Sequence, residues 1–314
     1  MMQSVLDFLP HKPTMQDDVP PPSKKKGPHP MLPMSEEAAA VERDPWAPFV
    51  PYIYWTIGKG IIDPEIVTPA VIFGALMGAI IWNILTWLLG IPSSSSHALV
   101  GGLMGAGMAA GGFSVIVAWG VIKTAAFIFL APIFGMLMAI LLVVMSSWLF
   151  KPFPANVSDR VFRRLQLASA AAYSLGHGAN DAQKTMGIIT VLLFSQGLLQ
   201  GEFHVPFWVV ITCQAAMGLG TLMGGWRIVH TMGSKITRLT PHQGFCAETG
   251  GAIMLFSATS LGIPVSTTHT ITGCIVGVGA ARRATAVRWG VAGNIVIAWV
   301  ITLPAAAAIG ALAY

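Results

Sequence analysis

The chain has 314 residues, of which 54% are hydrophobic and 10% charged, with a formal net charge of +5. Soluble domains carry about 25% charged residues, so this composition excludes an ordinary water-soluble fold. The positive charge sits in short runs between apolar segments, the pattern of the positive-inside rule, and no nucleic-acid partner is expected from it.

Cys213, Cys246 and Cys274 all lie in apolar segments, without metal-ligand spacing. Neither a disulfide framework nor a zinc site is expected. A bilayer core about 30 Å thick takes roughly 20 apolar residues per helix. Segments 67–89, 124–149, 205–226, 242–261 and 286–313 meet that length; 92–112 and 264–281 are apolar but glycine-rich. The expected fold is all-α: a polytopic, multi-pass integral membrane protein in contact with lipid. A β-barrel would show short alternating segments instead.

In chain order, residues 1–51 are rich in proline and charge, with no apolar run long enough for a span. They are expected to form a disordered or loose polar tail. A first repeat is expected over 52–150. Its segment 113–149 is long enough for one span plus a short piece starting at Trp119. A basic cytoplasmic linker, 151–164, carries Lys151, Arg160, Arg163 and Arg164. A second repeat fills 165–314.

The two halves repeat each other. Gly90-Ile-Pro-Ser-Ser-Ser-Ser-His97 aligns with Gly262-Ile-Pro-Val-Ser-Thr-Thr-His269, an offset of 172 from Gly90 to Gly262. The match continues through Gly101, Gly105 and Gly107 onto Gly273, Gly277 and Gly279, and Trp119-Gly120-Val121 matches Trp289-Gly290-Val291 at nearly the same offset. Each stretch reads as the tip of a tight hairpin. With all basic loops on the cytoplasmic side, Trp119 and Trp289 fall on opposite sides, so the repeats are expected to be inverted. Internal repeats of this kind mark secondary transporters, which bind substrate at the repeat interface. Shifting Gly176–Gly187 by the same offset lands on Ser4–Met15, which holds no Asn-Asp pair. The first repeat is therefore read as truncated by about two helices.

Three polar stretches carry the chemistry. Pro92 and Pro264 suit the first position of a helix. Ser94, Ser95 and Ser96, and Ser266, Thr267 and Thr268, then fall in first turns. Such hydroxyls serve either as plain N-caps or, with the free N–H groups of two facing helix starts, as a seat for a small tetrahedral anion. His97 and His269 are either proton carriers or hydrogen-bonded interior histidines. In the third stretch, Gly176 and Gly178 are expected to break the helix and free carbonyls for a cation. Asn180 and Asp181 offer hard oxygen ligands. Lys184 lies three residues after Asp181 on one helical face, as a functional cation or a structural partner. Glu248 is a further carboxylate in an apolar segment, with a coupling or a structural role.

These stretches resemble the inorganic phosphate transporter (PiT) family. Gly178-Ala-Asn180-Asp181-Ala-Gln183-Lys184-Thr185-Met-Gly187 is similar to its second signature, and the two Pro-Ser/Thr-His stretches to its hairpins. The resemblance runs from about Thr56 to Tyr314, while the family's first signature has no counterpart here. It implies secondary transport of inorganic phosphate, coupled to sodium or a proton, with no enzyme activity and no cofactor beyond the coupling ion. It implies phosphate and cation ligands at Ser94, Ser95, Ser96, Ser266, Thr267, Thr268, Asn180 and Asp181, with any transported sodium at Asn180 and Asp181. The coupling ion or proton is expected among Asp181, Gln183, Lys184, Thr185, His97, His269 and Glu248. A plasma (inner) membrane location follows, with a homodimer or a partner supplying the missing half. The competing readings are an incomplete half-transporter or inactive remnant, and an intramembrane hydrolase using serine and histidine near Asp181. The latter lacks a Gly-x-Ser-x-Gly elbow.

Overall fold

The structure, a computed structural model, describes residues 60–63, 66–199, 204–261, 263 and 265–314. The expected tail over 1–51 and the hairpin residues Gly262 and Pro264 lie outside the described residues. In chain order the α-helices are α1 (Pro69–Leu89), α2 (Ser95–Gly111), α3 (Ala118–Phe150), α4 (Ala155–Ser195), α5 (Phe207–Leu222), α6 (Trp226–His230), α7 (Pro241–Ser260), α8 (Thr267–Arg282) and α9 (Trp289–Ala313). A π-helical turn, Thr231–Lys235, extends α6. The described residues hold no β-structure beyond one isolated bridge, Ile62 to Ile116.

Local signals explain the repeat. α1 and α7 both start with proline after a threonine cap. Thr68 accepts a hydrogen bond from the Val71 N–H, and Thr240 accepts one from the Gln243 N–H. Threonine supplies the acceptor that a helix start lacks, and proline loses nothing at the first position. A short 3-10 turn follows both α2 and α8, at Phe113–Val115 and Ala284–Ala286.

Packing crosses between the repeats. A methyl group on Gly101 or Gly105 of α2 would overlap the carbonyl of Leu303 or Ala307 on α9. Likewise, a methyl on Gly273 or Gly277 of α8 would overlap the carbonyl of Pro132 or Met136 on α3. Each hairpin therefore packs on the last helix of the other repeat. Such reciprocal contacts have the form of a two-fold interface. Small residues permit this approach, and close packing replaces the hydrophobic drive that lipid does not supply. One apolar core joins Val71, Ala75, Leu99 and Leu103 with Ala306 of α9. A second joins Ile128 and Ala139 of α3 with Cys246, Ile275 and Val278. Outward faces carry large apolar side chains, such as Phe73, Phe134, Leu137 and Ile297, as lipid contact requires.

Four details differ from the expectations. Segment 113–149 holds no separate piece at Trp119: α3 is one helix of 33 residues. The chain turns only between Phe150 and Ala155, and residues 155–164 are already the start of α4. α4 does not break at Gly176 or Gly178. A freed backbone group inside a membrane costs several kcal/mol unless repaired, and an intact ladder avoids that cost. Finally, 205–226 is not one straight span: α5 ends at Leu222, and the chain bends by 66° into α6 and its π-helical turn. Gly224 and Gly225, at φ 130° and 108°, make that bend. Among the described residues, α1, α3 and α9 are long and apolar enough to cross a membrane, and the bent pair makes a fourth. α7 is not among them. Its Gln243, Glu248 and Thr249 dilute the apolar run.

Candidate functional site

The two hairpins present matching helix starts. Ser94 is the N-cap of α2, and its Oγ accepts the His97 N–H at 3.2 Å. Ser266 is the N-cap of α8 and accepts the His269 N–H at 3.3 Å. Pro92 is thus not the first helical residue as expected. It precedes the cap, and its carbonyl accepts the Trp299 indole N–H at 3.2 Å. The serine hydroxyl takes the cap because it satisfies a buried donor that proline cannot reach.

The caps set His97 and His269 ring to ring, with centroids 4.7 Å apart. His269 stacks on Trp299 at 3.8 Å, and its Nδ1 lies 3.3 Å from the Ile128 carbonyl. Both histidines are buried. They pack behind the hairpin tips, and among the described residues no hydrogen bond joins them to Asp181 or Lys184.

The long helix α4 runs past both tips. Its 41 residues span about 60 Å. Lys184 is only 1% exposed. Its Nζ donates to Ser96 Oγ at 2.6 Å, Asn180 Oδ1 at 2.5 Å, Asp181 Oδ1 at 2.9 Å and the Val265 carbonyl at 2.9 Å. An ammonium has three protons, so these four acceptors share them. The opposite carboxylate oxygen, Asp181 Oδ2, accepts the Thr267 hydroxyl at 3.2 Å and lies 3.1 Å from His177 Nε2. Asn180 Nδ2 donates to Thr259 Oγ1 at 3.1 Å, and the Tyr173 hydroxyl donates to the Thr267 carbonyl at 3.2 Å. One cluster therefore ties α4 to both hairpins. Lys184 reaches the first through Ser96 and the second through Val265.

Not every expected residue joins it. Thr185 is exposed, turned about 100° around α4 from the buried Lys184. Ser95 is also exposed, while Thr268 is half-buried. Gln183 is buried beside Lys184. Glu248 lies elsewhere: it accepts the Ser169 hydroxyl at 2.6 Å. Ser169 precedes Asp181 by more than three turns, about 18 Å along α4. Sequence reasoning missed Tyr173 and Thr259. Tyr173 was within reach, since Tyr173, His177 and Asp181 recur every four residues and so share one helical face. Thr259 has no counterpart in the first repeat, where Trp87 stands at the same offset.

The cluster combines a buried cation, a carboxylate, an amide and hydroxyls. Hydroxyls and the ammonium suit the oxygens of a tetrahedral anion. The carboxylate and the amide oxygen suit a hard cation. The serines at the caps turn their hydroxyls to backbone N–H groups and not to an imidazole, so no nucleophile–base pair forms there.

The sequence profile of the phosphate transporter family matches residues 52–158 and 151–310. The chain is 68% identical over 278 residues to a protein of Rhizobium meliloti (strain 1021) described as a probable low-affinity inorganic phosphate transporter, covering 86% of this chain and 83% of that one. A Bacillus subtilis (strain 168) protein of the same description is 45% identical over 261 residues, covering 82% of this chain and 78% of that one. Among solved structures, the sodium-dependent phosphate transporter superposes with a TM-score of 0.72 at 26% identity, covering 85% of this chain and 86% of that chain.

Proposed function

The chain belongs to the phosphate transporter family, and we propose that it moves inorganic phosphate through the Lys184 cluster by coupling it to a cation. Family and fold are those of integral membrane transporters, not of enzymes. The observation that carries the reading is Lys184, a buried ammonium held between two hairpin tips and already paired with Asp181.

The pair sets the energetics. Lys184 and Asp181 together carry no net charge, so an incoming phosphate is an uncompensated anion in a low-dielectric site. A cation taken up at Asp181 and Asn180 restores the balance and frees Lys184 for phosphate. Ser96 lies on the anion side and Thr267 on the cation side. Coupling then follows from electrostatics: neither ion enters well alone. Ser95 and Thr268, in the same first turns, complete the hydroxyl set once the tips part. The two-fold exchange of α3 and α9 supports inverted repeats that alternate around this centre, in the plasma membrane.

The test is labelled phosphate uptake in cells stripped of their own phosphate carriers. Sodium and proton gradients are imposed separately on wild type and on Asp181→Asn. The expected result is gradient-dependent uptake that is abolished in Asp181→Asn. Uptake indifferent to both gradients would sink the coupling. No uptake by the unaltered chain would favour the incomplete-half reading. Selectivity gives a second readout. Hydrogen phosphate carries a proton that Asp181 can accept, whereas sulfate does not. Binding of phosphate and sulfate to purified Asp181→Asn should differ less than to wild type; unchanged discrimination would refute that role.

A further inference from the structure

A second cationic centre lies at the end of α8. Arg282 closes that helix, Arg283 and Arg288 flank the 3-10 turn before α9, and Arg238 comes from the segment before α7. All four line one cavity of about 400 Å³, together with Thr237, Gln243 and Thr285. Among the described residues, no carboxylate lines it. Among the described residues, no carboxylate lies within ion-pair distance of any of the four. Like charges gathered around one cavity repel, and an anion between them removes that cost.

The cup is held by bonds that a mere charge count does not need. The Arg288 N–H donates to the Ile236 carbonyl at 2.9 Å. The Thr237 hydroxyl donates to the Ala286 carbonyl at 3.1 Å, and Gln243 Nε2 donates to the Val278 carbonyl at 3.2 Å. Trp289 Nε1 donates to the Ala284 carbonyl at 3.0 Å, which fixes an exposed indole at the start of α9.

The first repeat shows that the fold does not require these arginines. Its counterpart connection, residues 112–117, reads Gly-Phe-Ser-Val-Ile-Val, with the same 3-10 turn and no basic residue. The segment before α1 carries Asp63 and Glu65 where the second repeat has Lys235 and Thr237.

We propose that the arginine cup is a binding site for clustered phosphate oxygens, separate from the Lys184 cluster. Guanidinium forks match phosphate oxygens two at a time, which lysine does not do. The phosphates come either from the headgroup of an anionic lipid or from a free polyanion. Trp289 sits at the start of a span, where aromatic side chains meet headgroups, and basic pockets at such ends take lipid phosphates.

The experiment uses the full chain purified in neutral detergent and follows its thermal unfolding. Diphosphatidylglycerol, phosphatidylcholine and inorganic pyrophosphate are titrated in turn. They are added to wild type, to the charge-conserving triple variant Arg282→Lys/Arg283→Lys/Arg288→Lys, and to Arg163→Gln, which removes a charge on α4. Diphosphatidylglycerol or pyrophosphate should raise Tm in wild type and in Arg163→Gln. The half-effect concentration should rise about ten-fold in the lysine variant. A response to the lipid alone identifies a headgroup, and a response to pyrophosphate without lipid identifies a free anion. Should the triple variant fail to fold, Arg282→Lys alone should still shift the midpoint about three-fold. Equal midpoints in lysine and arginine forms, or no response beyond that to phosphatidylcholine, would overturn the proposal. Both readouts are binding alone, so failure of the cup and failure of transport are distinguishable.

Discussion

The two hairpins share a backbone and differ in their chemistry. Both start a helix on a serine cap three residues before a buried histidine, the two histidines touch each other, and both hairpins lay paired glycines on a helix of the other repeat. Yet Ser96 accepts a hydrogen bond from Lys184, whereas Thr267 donates one to Asp181. The asymmetry comes from α4, which passes both tips but presents its cation to one hydroxyl and its carboxylate to the other. A duplicated fold thus offers two equivalent seats, and a single helix makes them unequal.

The strongest way to break this comparison is to remove the charge that separates the seats. Lys184→Met leaves Asp181 without its ammonium and should destabilise the protein by about 3–5 kcal/mol. The double variant Lys184→Met/Asp181→Asn should recover part of that loss in thermal unfolding. A double variant no more stable than the single one would mean that the pair is not the source of the cost.

The shared frame is tested next. Gly105→Ala and Gly273→Ala each drive a methyl group into a facing carbonyl, and overpacking of this kind costs about 1–3 kcal/mol. Comparable losses of Tm are expected in the two variants. Tolerance at one position alone would refute the reciprocal packing.

Smaller effects sharpen the difference between the tips. Ser96→Ala should raise the half-saturating phosphate concentration about 5- to 10-fold and leave the cation dependence nearly unchanged, as loss of one ordinary hydrogen bond predicts. Thr267→Val should do the reverse. Uptake measured against both solutes checks the split. The caps should give the smallest and most equal effects: Ser94→Ala and Ser266→Ala are each expected to cost about 1 kcal/mol of stability.

Much of the site was legible because it is written locally. Asp181 and Lys184 share a helical face at a spacing of three, and the Ser/Thr-His stretches recur at a fixed offset. Exposure was not legible. Thr185 follows Lys184 by one residue, which rotates it by about 100° and out of the cluster. Ser95 and Ser96 are neighbours with opposite fates for the same reason. The expected break at Gly176 and Gly178 failed because glycine permits a break without demanding one. The Thr-Pro starts at 68–69 and 240–241 stood at the same offset as the hairpins, and they would have extended the repeat to a full helix earlier.

By itself the sequence determined that this chain is an all-helical membrane protein with a duplicated hairpin, since apolar length and local capping need no partner to act. The cap serines, the paired glycines and the Asp181–Lys184 spacing were equally its own. Only the tertiary structure decided that α3 and α9 are exchanged between the repeats, and that one lysine bridges both tips. Only there do Arg238 and Arg282, distant in sequence, share a cavity. Each of these is a contact between segments far apart in the chain, fixed by which surfaces fit at close range, and no local spacing encodes that.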